Sequence, residues 1–193
     1  MKSLKNIKKT ILSNEWATLH RIDYDYQFKN GNWKRLSRET YNRGNGTAIL
    51  LFNPDKGTVI LTKQFRMPAY ENDKNDGMSI EACAGAIDNN DNALETIIRE
   101  TEEEVGYKIT NAKQVLSAYT SPGALTEKMY LFVAEYSDAM KINEGGGLDS
   151  EDEEIEVIEL PFKQVIEMVK NEEIIDAKTI MLVQYAQINK LID

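Results

Sequence analysis

The sequence predicts an α+β domain in which a β-sheet packs against helices. Two observations lead to this prediction: short apolar or alternating segments, typical of strands, recur up to residue 160, and helical patterns follow them. A third is composition. With 193 residues, 41% of them hydrophobic and 28% charged, the chain is long enough for one globular domain with a substantial core.

The first predicted element is an antiparallel hairpin. Residues 17–28 alternate between apolar and polar side chains, as in a strand with one buried face. Asn30-Gly31 favours a tight turn, and a second strand is expected from Trp33 to Tyr41. We expect residues 1–42 to form this hairpin as an extension of a main domain at residues 43–193.

The main domain begins with another hairpin, whose turn is Asp55-Lys56-Gly57. Pro161 suits the first turn of a helix reaching about Lys170, and a last helix is expected from Ala177 to Leu191. The predicted strands of this domain lie at residues 48–52, 58–65, 79–84, 113–119, 128–136 and 155–160.

Charge and composition exclude several classes of function. The net charge of −9 argues against nucleic-acid polymers and anionic membranes as partners, because those surfaces attract basic proteins. No segment has the length and apolar character to span a bilayer. Cys83 is the only cysteine, so no internal disulfide can form and a cytoplasmic, reducing location is expected. His20 is the only histidine and cannot build a histidine metal site.

The segment from Gly85 to Tyr107 carries the clearest chemical signal. Glu100, Glu103 and Glu104 are spaced i, i+3, i+4, which on a helix places them within an arc of roughly 100°. Like charges at this spacing repel one another. A divalent cation would relieve the repulsion, since Mg²⁺ takes oxygen ligands and couples carboxylates to phosphates. A solvated acidic helix face is the alternative interpretation.

This helix also has an apolar face and end signals. Gly106 suits its C-terminus, because glycine accepts the left-handed conformation. Turn and N-cap chemistry is expected at the start from Asn89, Asn90 and Asp91. The predicted apolar face comprises Leu94, Ile97, Ile98, Thr101 and Val105.

The spacing resembles the Nudix box of the Nudix hydrolase family, G-x5-E-x7-R-E-U-x-E-E-x-G-U, where U is a bulky apolar residue. Asp91 stands where that family has Glu, and Thr101 and Tyr107 occupy the two bulky apolar positions. The resemblance implies the Nudix fold, a mixed sheet between helices. The matching residues are Gly85, Arg99, Glu100, Glu103, Glu104 and Gly106.

The same resemblance implies a metal site that uses Mg²⁺, with Mn²⁺ as a possible substitute. Its ligands would be Glu100, Glu104, Glu153 and the backbone carbonyl of Ala84. Arg99 would orient the acids, and Glu103 would support them or act as a further ligand.

The base that activates water is expected in the glycine-rich acidic loop at residues 145–154. Three glycines allow wide backbone movement there, and acids follow at once. The family resemblance points to Glu153, with Asp152 beside it, while Glu151 and Glu154 remain alternatives.

The segment Thr120 to Gly123, followed by Glu127, resembles the Nudix subgroup that acts on ADP-ribose and other nucleoside diphosphate sugars. A proline-glycine turn is the simpler interpretation, and the two are compatible. The resemblance implies that substrate contacts fall on Trp16, Ser37, Arg38, Glu39, Arg66, Gly85, Ala86, Glu127, Asp152 and Lys178.

Together these features predict an Mg²⁺-dependent hydrolase of a nucleoside diphosphate sugar. The resemblance favours GDP-mannose, with GMP and mannose 1-phosphate as products, and ADP-ribose or another ADP-sugar is the alternative. A non-catalytic nucleotide-sugar sensor is the rival from another class. Relatives exchange a similar N-terminal extension between subunits, so the resemblance also implies a homodimer. A hairpin packed on its own chain is the alternative.

Overall fold

The computed structural model describes residues 3–73, 76–87, 91–148 and 154–192. The chain divides into two units, one of Met1–Asn45 with Tyr119–Lys128, the other of Gly46–Ala118 with Met129–Asp193. The strands are β1 (Leu4–Asn14), β2 (Thr18–Gln27), β3 (Trp33–Asn42), β4 (Asn45–Asn53), β5 (Thr58–Phe65), β6 (Met78–Glu81), β7 (Cys83–Ile87), β8 (Lys113–Tyr119), β9 (Lys128–Glu135) and β10 (Glu156–Pro161). The helices are α1 (Met67–Asp73), α2 (Ala93–Val105), α3 (Phe162–Lys170) and α4 (Ala177–Ile188).

The first unit contains a three-stranded antiparallel sheet in the order β1-β2-β3. The predicted hairpin is present as β2 and β3, with Gly31 at a positive φ of 85° in the turn. The added strand β1 was not predicted. Its pairing with β2 contains two register shifts, between Lys5 and Lys8 and between Ile11 and Ser13.

The segment 119–128 is tied to the end of β3. The Tyr41 N–H donates to the Ala124 carbonyl over 2.9 Å, and the Thr126 N–H donates to the Tyr41 carbonyl over 3.1 Å. The Ala124 N–H closes a turn on the Ser121 carbonyl at 3.0 Å, so the predicted proline-glycine turn is confirmed.

The second unit is built on a mixed sheet of seven strands in the order β10-β5-β4-β9-β8, with β6 beside β5 and β7 beside β4. β4 runs parallel to β9, whereas β5 is antiparallel to β4, β6 and β10. The expected strand at residues 79–84 is in fact two strands, because the chain changes partner at Ala82. The short helix α1 was not predicted, and α4 ends at Ile188 rather than Leu191.

Helices cover both faces of this sheet. Side chains alternate along β4, so Leu50 packs with residues of α3 and α4, and Ile49 packs with Ile97 and Val105 of α2. The predicted α+β architecture, a mixed sheet between helices, is therefore confirmed. No helix in the described ranges is long and apolar enough to cross a membrane.

Candidate active site

Helix α2 is fixed at both ends. The Asn92 side-chain oxygen accepts from the backbone N–H groups of Leu94, at 3.0 Å, and Glu95, at 2.9 Å. The cap is therefore Asn92 and not Asp91, while Asn89 and Asn90 lie outside the described residues. At the other end, Gly106 has φ 77°, as expected for a left-handed cap.

The buried face of α2 explains the two departures from bulky apolar residues in the box. The Thr101 hydroxyl donates to the Ile97 carbonyl over 2.6 Å, so its polar atom is satisfied within the helix and the residue is fully buried. Tyr107 is also buried, and its ring lies edge-to-face on Tyr136 with centroids 5.2 Å apart. The prediction for Leu94 was wrong, since that side chain is exposed.

The three box acids have different neighbours. Glu104 is 2% exposed, and its carboxylate accepts from the Ala84 N–H at 3.1 Å. Arg99 donates to Glu100 at 2.9 Å and to Glu103 at 2.7 Å. Partial burial of the guanidinium opposes its charge, but the carboxylates of Glu100 and Glu103 outweigh burial and raise the pKa of Arg99. Arg99 thus offsets the repulsion that the spacing predicted.

Gly85 is required by the close approach of Glu100. A Cβ atom at position 85 would lie 2.2 Å from the carboxyl carbon of Glu100. The strand β7 therefore brings Ala84 and Gly85 against Glu104 and Glu100. Ala86 follows them in β7 and is exposed.

The donors at this position fit a hard divalent cation. Carboxylate oxygens of Glu100 and Glu104 and the Ala84 carbonyl are the ligand types that Mg²⁺ prefers, and Mg²⁺ usually keeps several waters. Within the described ranges, no group of three or more His, Cys, Asp or Glu side chains is arranged to hold a metal alone. Waters and substrate oxygens would complete the set. The predicted Glu153 and Asp152, with the alternative Glu151, lie outside the described residues, and Glu154 is exposed.

A cationic cluster is centred on a buried acid that was not predicted as a site residue. Glu81, 4% exposed, accepts from Arg66 through Nε at 2.9 Å and Nη2 at 3.0 Å. It also accepts from the Lys178 ammonium. Lys178 donates further to Asp176 at 3.0 Å. Two predicted substrate contacts, Arg66 and Lys178, are therefore brought together on one carboxylate.

The charges of this cluster shift its pKa values. Burial raises the pKa of Glu81, but the hydrogen bonds and charges of Arg66 and Lys178 outweigh it and lower the value to about 2. Burial opposes the charge of Arg66, yet Glu81 raises the pKa of that guanidinium, with a further contribution from Glu104. Glu104 thus lies near enough to Arg66 for its charge to act on the guanidinium.

One sequence signal could have pointed to Glu81. It is an acid within the otherwise apolar run Ile80 to Ala84. Acids are rarely buried unless they are paired, so an acid in a buried strand predicts a cationic partner.

Cys83, next to Ala84, is buried. Burial first, and then the charge of Glu104, raises the pKa of this thiol. A thiol with a raised pKa is a poor nucleophile, which favours a structural role for Cys83.

Two of the predicted contacts in the first unit, Trp16 and Glu127, share the neighbour Arg43. Trp16 is 77% exposed and lies beside Tyr41, with ring centroids 6.5 Å apart. The Arg43 guanidinium is 5.5 Å from the Trp16 ring centroid, and its Nε forms an ion pair with Glu127 at 3.0 Å. Glu127 is buried and accepts a hydrogen bond from Thr120 at 3.1 Å. Arg43 was not predicted as a site residue.

The remaining predicted contacts, Ser37, Arg38 and Glu39, lie in β3 and are exposed. A hydrogen bond from Ser37 lowers the pKa of Asp23, its neighbour on β2. Arg38 donates to the Ser37 carbonyl at 2.7 Å. Its side chain lies on the face of the strand opposite to that of the Ser37 side chain, because successive residues of a strand alternate between faces.

Comparison with known proteins adds the family. A sequence profile described as the NUDIX domain matches residues 42–183, and one described as the GDP-mannose pyrophosphatase NudK N-terminal domain matches residues 3–41. A GDP-mannose pyrophosphatase of Cronobacter sakazakii is 48% identical over 188 residues, covering 97% of this chain and 96% of that protein. One of Escherichia coli O157:H7 is 47% identical over 97% of this chain and 96% of its own length.

A third relative, the GDP-mannose pyrophosphatase of Pectobacterium atrosepticum, is 49% identical over 181 residues, or 93% of this chain and 92% of that protein. The identity extends over both units in all three cases. The Nudix box, with its acids brought against Ala84 and Gly85, agrees with these matches. The chain belongs to the NUDIX family.

Proposed function

We propose that this protein hydrolyses the diphosphate bond of a nucleoside diphosphate sugar, and that GDP-mannose is cleaved to GMP and mannose 1-phosphate. The observation that carries the proposal is that Glu100 and Glu104 lie against Gly85 and Ala84, while Arg66 and Lys178 share a carboxylate only three residues earlier in the chain, at Glu81. Such a site has oxygen ligands for a metal cation and positively charged hydrogen-bond donors for phosphate oxygens. The substrate is proposed from the relatives that are named GDP-mannose pyrophosphatase. This chain matches them over nearly their full length.

In this proposal, Glu100, Glu104 and the Ala84 carbonyl hold Mg²⁺, or Mn²⁺ in its place. When bound, such an ion screens phosphate charge, stabilises the leaving group and lowers the pKa of a water. Arg99 holds Glu100 and Glu103 in position through its two hydrogen bonds. Glu103 therefore supports the site through Arg99.

The diphosphate is bound by Arg66 and Lys178. A guanidinium has a planar fork of donors that matches phosphate oxygens, and Lys178 adds a point charge. The backbone of Gly85 and Ala86 lies beside the acids and can contact the substrate there.

Further substrate contacts are proposed for the first unit. The exposed ring of Trp16 can stack on a base, and Arg38 presents an exposed guanidinium. Ser37 and Glu39 offer polar groups beside it on β3. Glu127 can accept hydrogen bonds from sugar hydroxyls.

For the general base we propose Glu153, with Asp152 as a neighbouring substrate contact. The alternatives, Glu151 and Glu154, are separated by replacing each acid by its amide in turn. Only the variant of the true base should lose turnover while it still binds GDP-mannose. Hydrolysis in ¹⁸O-water, followed by mass spectrometry of both products, identifies the phosphorus that is attacked.

A homodimer is also proposed, formed through the N-terminal sheet. The edge strand β1 exposes Leu4, Ile7 and Ile11, and an apolar groove runs along the same sheet. Exposed apolar surface on an edge strand favours association with a second copy. Residues 1–42 would then be the dimer-forming extension and residues 43–193 the catalytic domain. The lone, buried Cys83 suits a cytoplasmic location.

The function is tested with a panel of nucleotide sugars that includes GDP-mannose, ADP-ribose and an ADP-sugar. Released nucleoside monophosphate is measured with and without Mg²⁺. We expect fastest turnover of GDP-mannose and none with excess chelator. Faster turnover of ADP-ribose would change the substrate, and tight binding without turnover would indicate a sensor.

The matched variant for this assay is Glu104→Gln. The amide oxygen can still accept from the Ala84 N–H, so the fold should be retained while the anionic ligand is lost. We expect turnover to fall by orders of magnitude with unchanged thermal unfolding. Near-normal activity would contradict the role of Glu104.

A further inference from the structure

We infer that Glu81 is a positioning residue for this reaction, which holds the side chains of Arg66 and Lys178 in the orientation that receives the diphosphate. The inference rests on the proposed function. Glu81 itself is buried, so it acts through the two cations and not by contact with the substrate.

The bonds to Arg66 use one edge of its guanidinium. Both Nε and Nη2 donate to the two oxygens of Glu81, which is the bidentate geometry of a paired fork. This arrangement fixes the plane of the guanidinium and leaves the Nη1 donors for another acceptor. The Arg66 side chain remains 43% exposed, so those donors can reach a ligand.

Lys178 is held from two sides. Its ammonium donates to Glu81 and to Asp176, and its side chain is only 13% exposed. An ammonium has three donors, so one remains after these two bonds. A flexible lysine is thereby restricted to one direction, which reduces the entropy lost when it binds a phosphate oxygen.

Glu81 is also fixed relative to the metal-binding acids. The next residue, Ala82, donates its N–H to the Thr179 hydroxyl at 2.7 Å, and Ala84 donates to Glu104 at 3.1 Å. Glu81 and Ala84 are three residues apart, so their α-carbons lie within about 11 Å of each other. The backbone therefore limits the distance between the cationic cluster and the acids.

A positioning role and a purely electrostatic role predict opposite changes in diphosphate affinity when the charge of Glu81 is removed. Removing the Glu81 charge leaves Arg66 and Lys178 less neutralised, and if charge alone mattered the diphosphate would bind more tightly. If orientation matters, the two cations lose their common acceptor and binding weakens. A purely structural role would change stability and leave the KM unaltered.

The experiment compares wild type with Glu81→Gln. We expect the KM for GDP-mannose to rise by about 10-fold, as for other residues that orient a ligand-binding group, with a smaller change in kcat. In parallel, calorimetry with methylenediphosphonate and saturating Mg²⁺ should show a similar loss of affinity. This second measurement requires no turnover.

The matched control is Glu159→Gln. Glu159 also accepts from several side chains, Tyr136 at 2.8 Å and Thr58 at 2.9 Å among them, but belongs to a different network. We expect its KM and its affinity for methylenediphosphonate to equal those of wild type. Thermal unfolding of both variants reports any loss of fold.

The outcomes separate the two proposals. If wild type cleaves no nucleotide sugar but binds methylenediphosphonate more tightly than Glu81→Gln does, the proposed hydrolysis fails, while the orientation of Arg66 and Lys178 by Glu81 for binding a diphosphate stands. Equal or tighter binding by the variant overturns that role, as does lack of binding by wild type. Should Glu81→Gln not fold, Glu81→Asp decides: its carboxylate is one methylene shorter, so weaker binding supports positioning and unchanged binding overturns it.

Discussion

Three carboxylates of the second unit are held by three kinds of neighbour. Glu104 accepts a backbone N–H, Glu100 lies against the α-carbon of Gly85, and Glu81 pairs with two cations. Each neighbour restricts its acid by a different means: a hydrogen bond, lack of space and charge. The consequences of removing each neighbour are therefore distinguishable by experiment.

The contact at Gly85 predicts that Gly85→Ala weakens metal binding. The added methyl would displace the Glu100 carboxylate, since it would lie 2.2 Å from its carboxyl carbon. We expect a loss of roughly 10- to 100-fold in Mn²⁺ affinity, measured by calorimetry. Gly123→Ala is the control, because nothing lies within 4 Å of its added Cβ. Wild-type Mn²⁺ affinity in Gly85→Ala would contradict the assignment of Glu100.

The depressed pKa of Glu81 predicts how its contribution to stability depends on pH. Its value is about 2 in the folded protein against an ordinary value of 4.5, so ionised Glu81 stabilises the fold above pH 4.5. This contribution, on the order of 3 kcal/mol, is lost as the pH falls from 4.5 towards 2. Urea unfolding of wild type and Glu81→Gln should show a difference in free energy that shrinks over this window. A constant difference would show that the charge of Glu81 is not responsible.

At the residue scale, patterns within one helix could be predicted from the sequence, whereas contacts between residues far apart in the chain could not. The spacing of Glu100, Glu103 and Glu104 is visible along one helix. The partners of Glu81 lie 15 and 97 residues away, and their meeting depends on the packing of β6 against β5 and α4. Glu81 could be suspected of burial, but its partners could not be identified from the sequence.

At the scale of elements, α2 depends on its ends as much as on its buried face. Asn92 accepts from two backbone N–H groups that have no partner within the helix. The acids of the site lie on the later turns of the same helix, so the cap helps to hold the element that carries them.

The cap predicts that Asn92→Ala lowers the free energy of unfolding by about 1 kcal/mol. Asn92→Asp keeps an acceptor at the helix N-terminus and should retain the stability of wild type. Chemical denaturation of the two variants provides the comparison. If alanine and aspartate behave alike, the side chain of Asn92 does not contribute as a cap.

Strand β1 shows why one element escaped prediction. Its apolar residues Leu4, Ile7 and Ile11 do not alternate with period two. The two register shifts in its pairing with β2 insert extra residues, and Asn6 has a positive φ of 52° at the first of them. Such bulges break the alternation on which strand prediction depends. The regular strands β2 to β5 had no such interruption and were predicted to within a few residues.

At the scale of the whole molecule, the exposed edge of β1 bears on assembly. Ile7 is 62% exposed and Ile11 is 60% exposed, which is unusual for isoleucine. The proposed dimer would remove both from water and would satisfy backbone groups of the edge strand.

Sedimentation velocity tests this assembly. Wild type should sediment as a dimer at micromolar concentration, and Ile7→Glu should shift it to a monomer, because a buried unpaired charge is costly. Ile188→Glu is the control, since Ile188 is also exposed but lies in α4 of the second unit. Monomeric wild type, or dissociation by the control variant alone, would argue against an interface on β1.

The burial of Cys83 provides a chemical reporter inside the second unit. Its thiol is the only one in the chain, belongs to the apolar core and lies close to Glu104. A thiol reagent should therefore modify the folded protein only as fast as the sheet around β7 opens. If Mg²⁺ and substrate hold β7 and α2 together, each should slow this labelling. A time course of labelling followed by mass spectrometry would then report ligand occupancy without any assay of turnover.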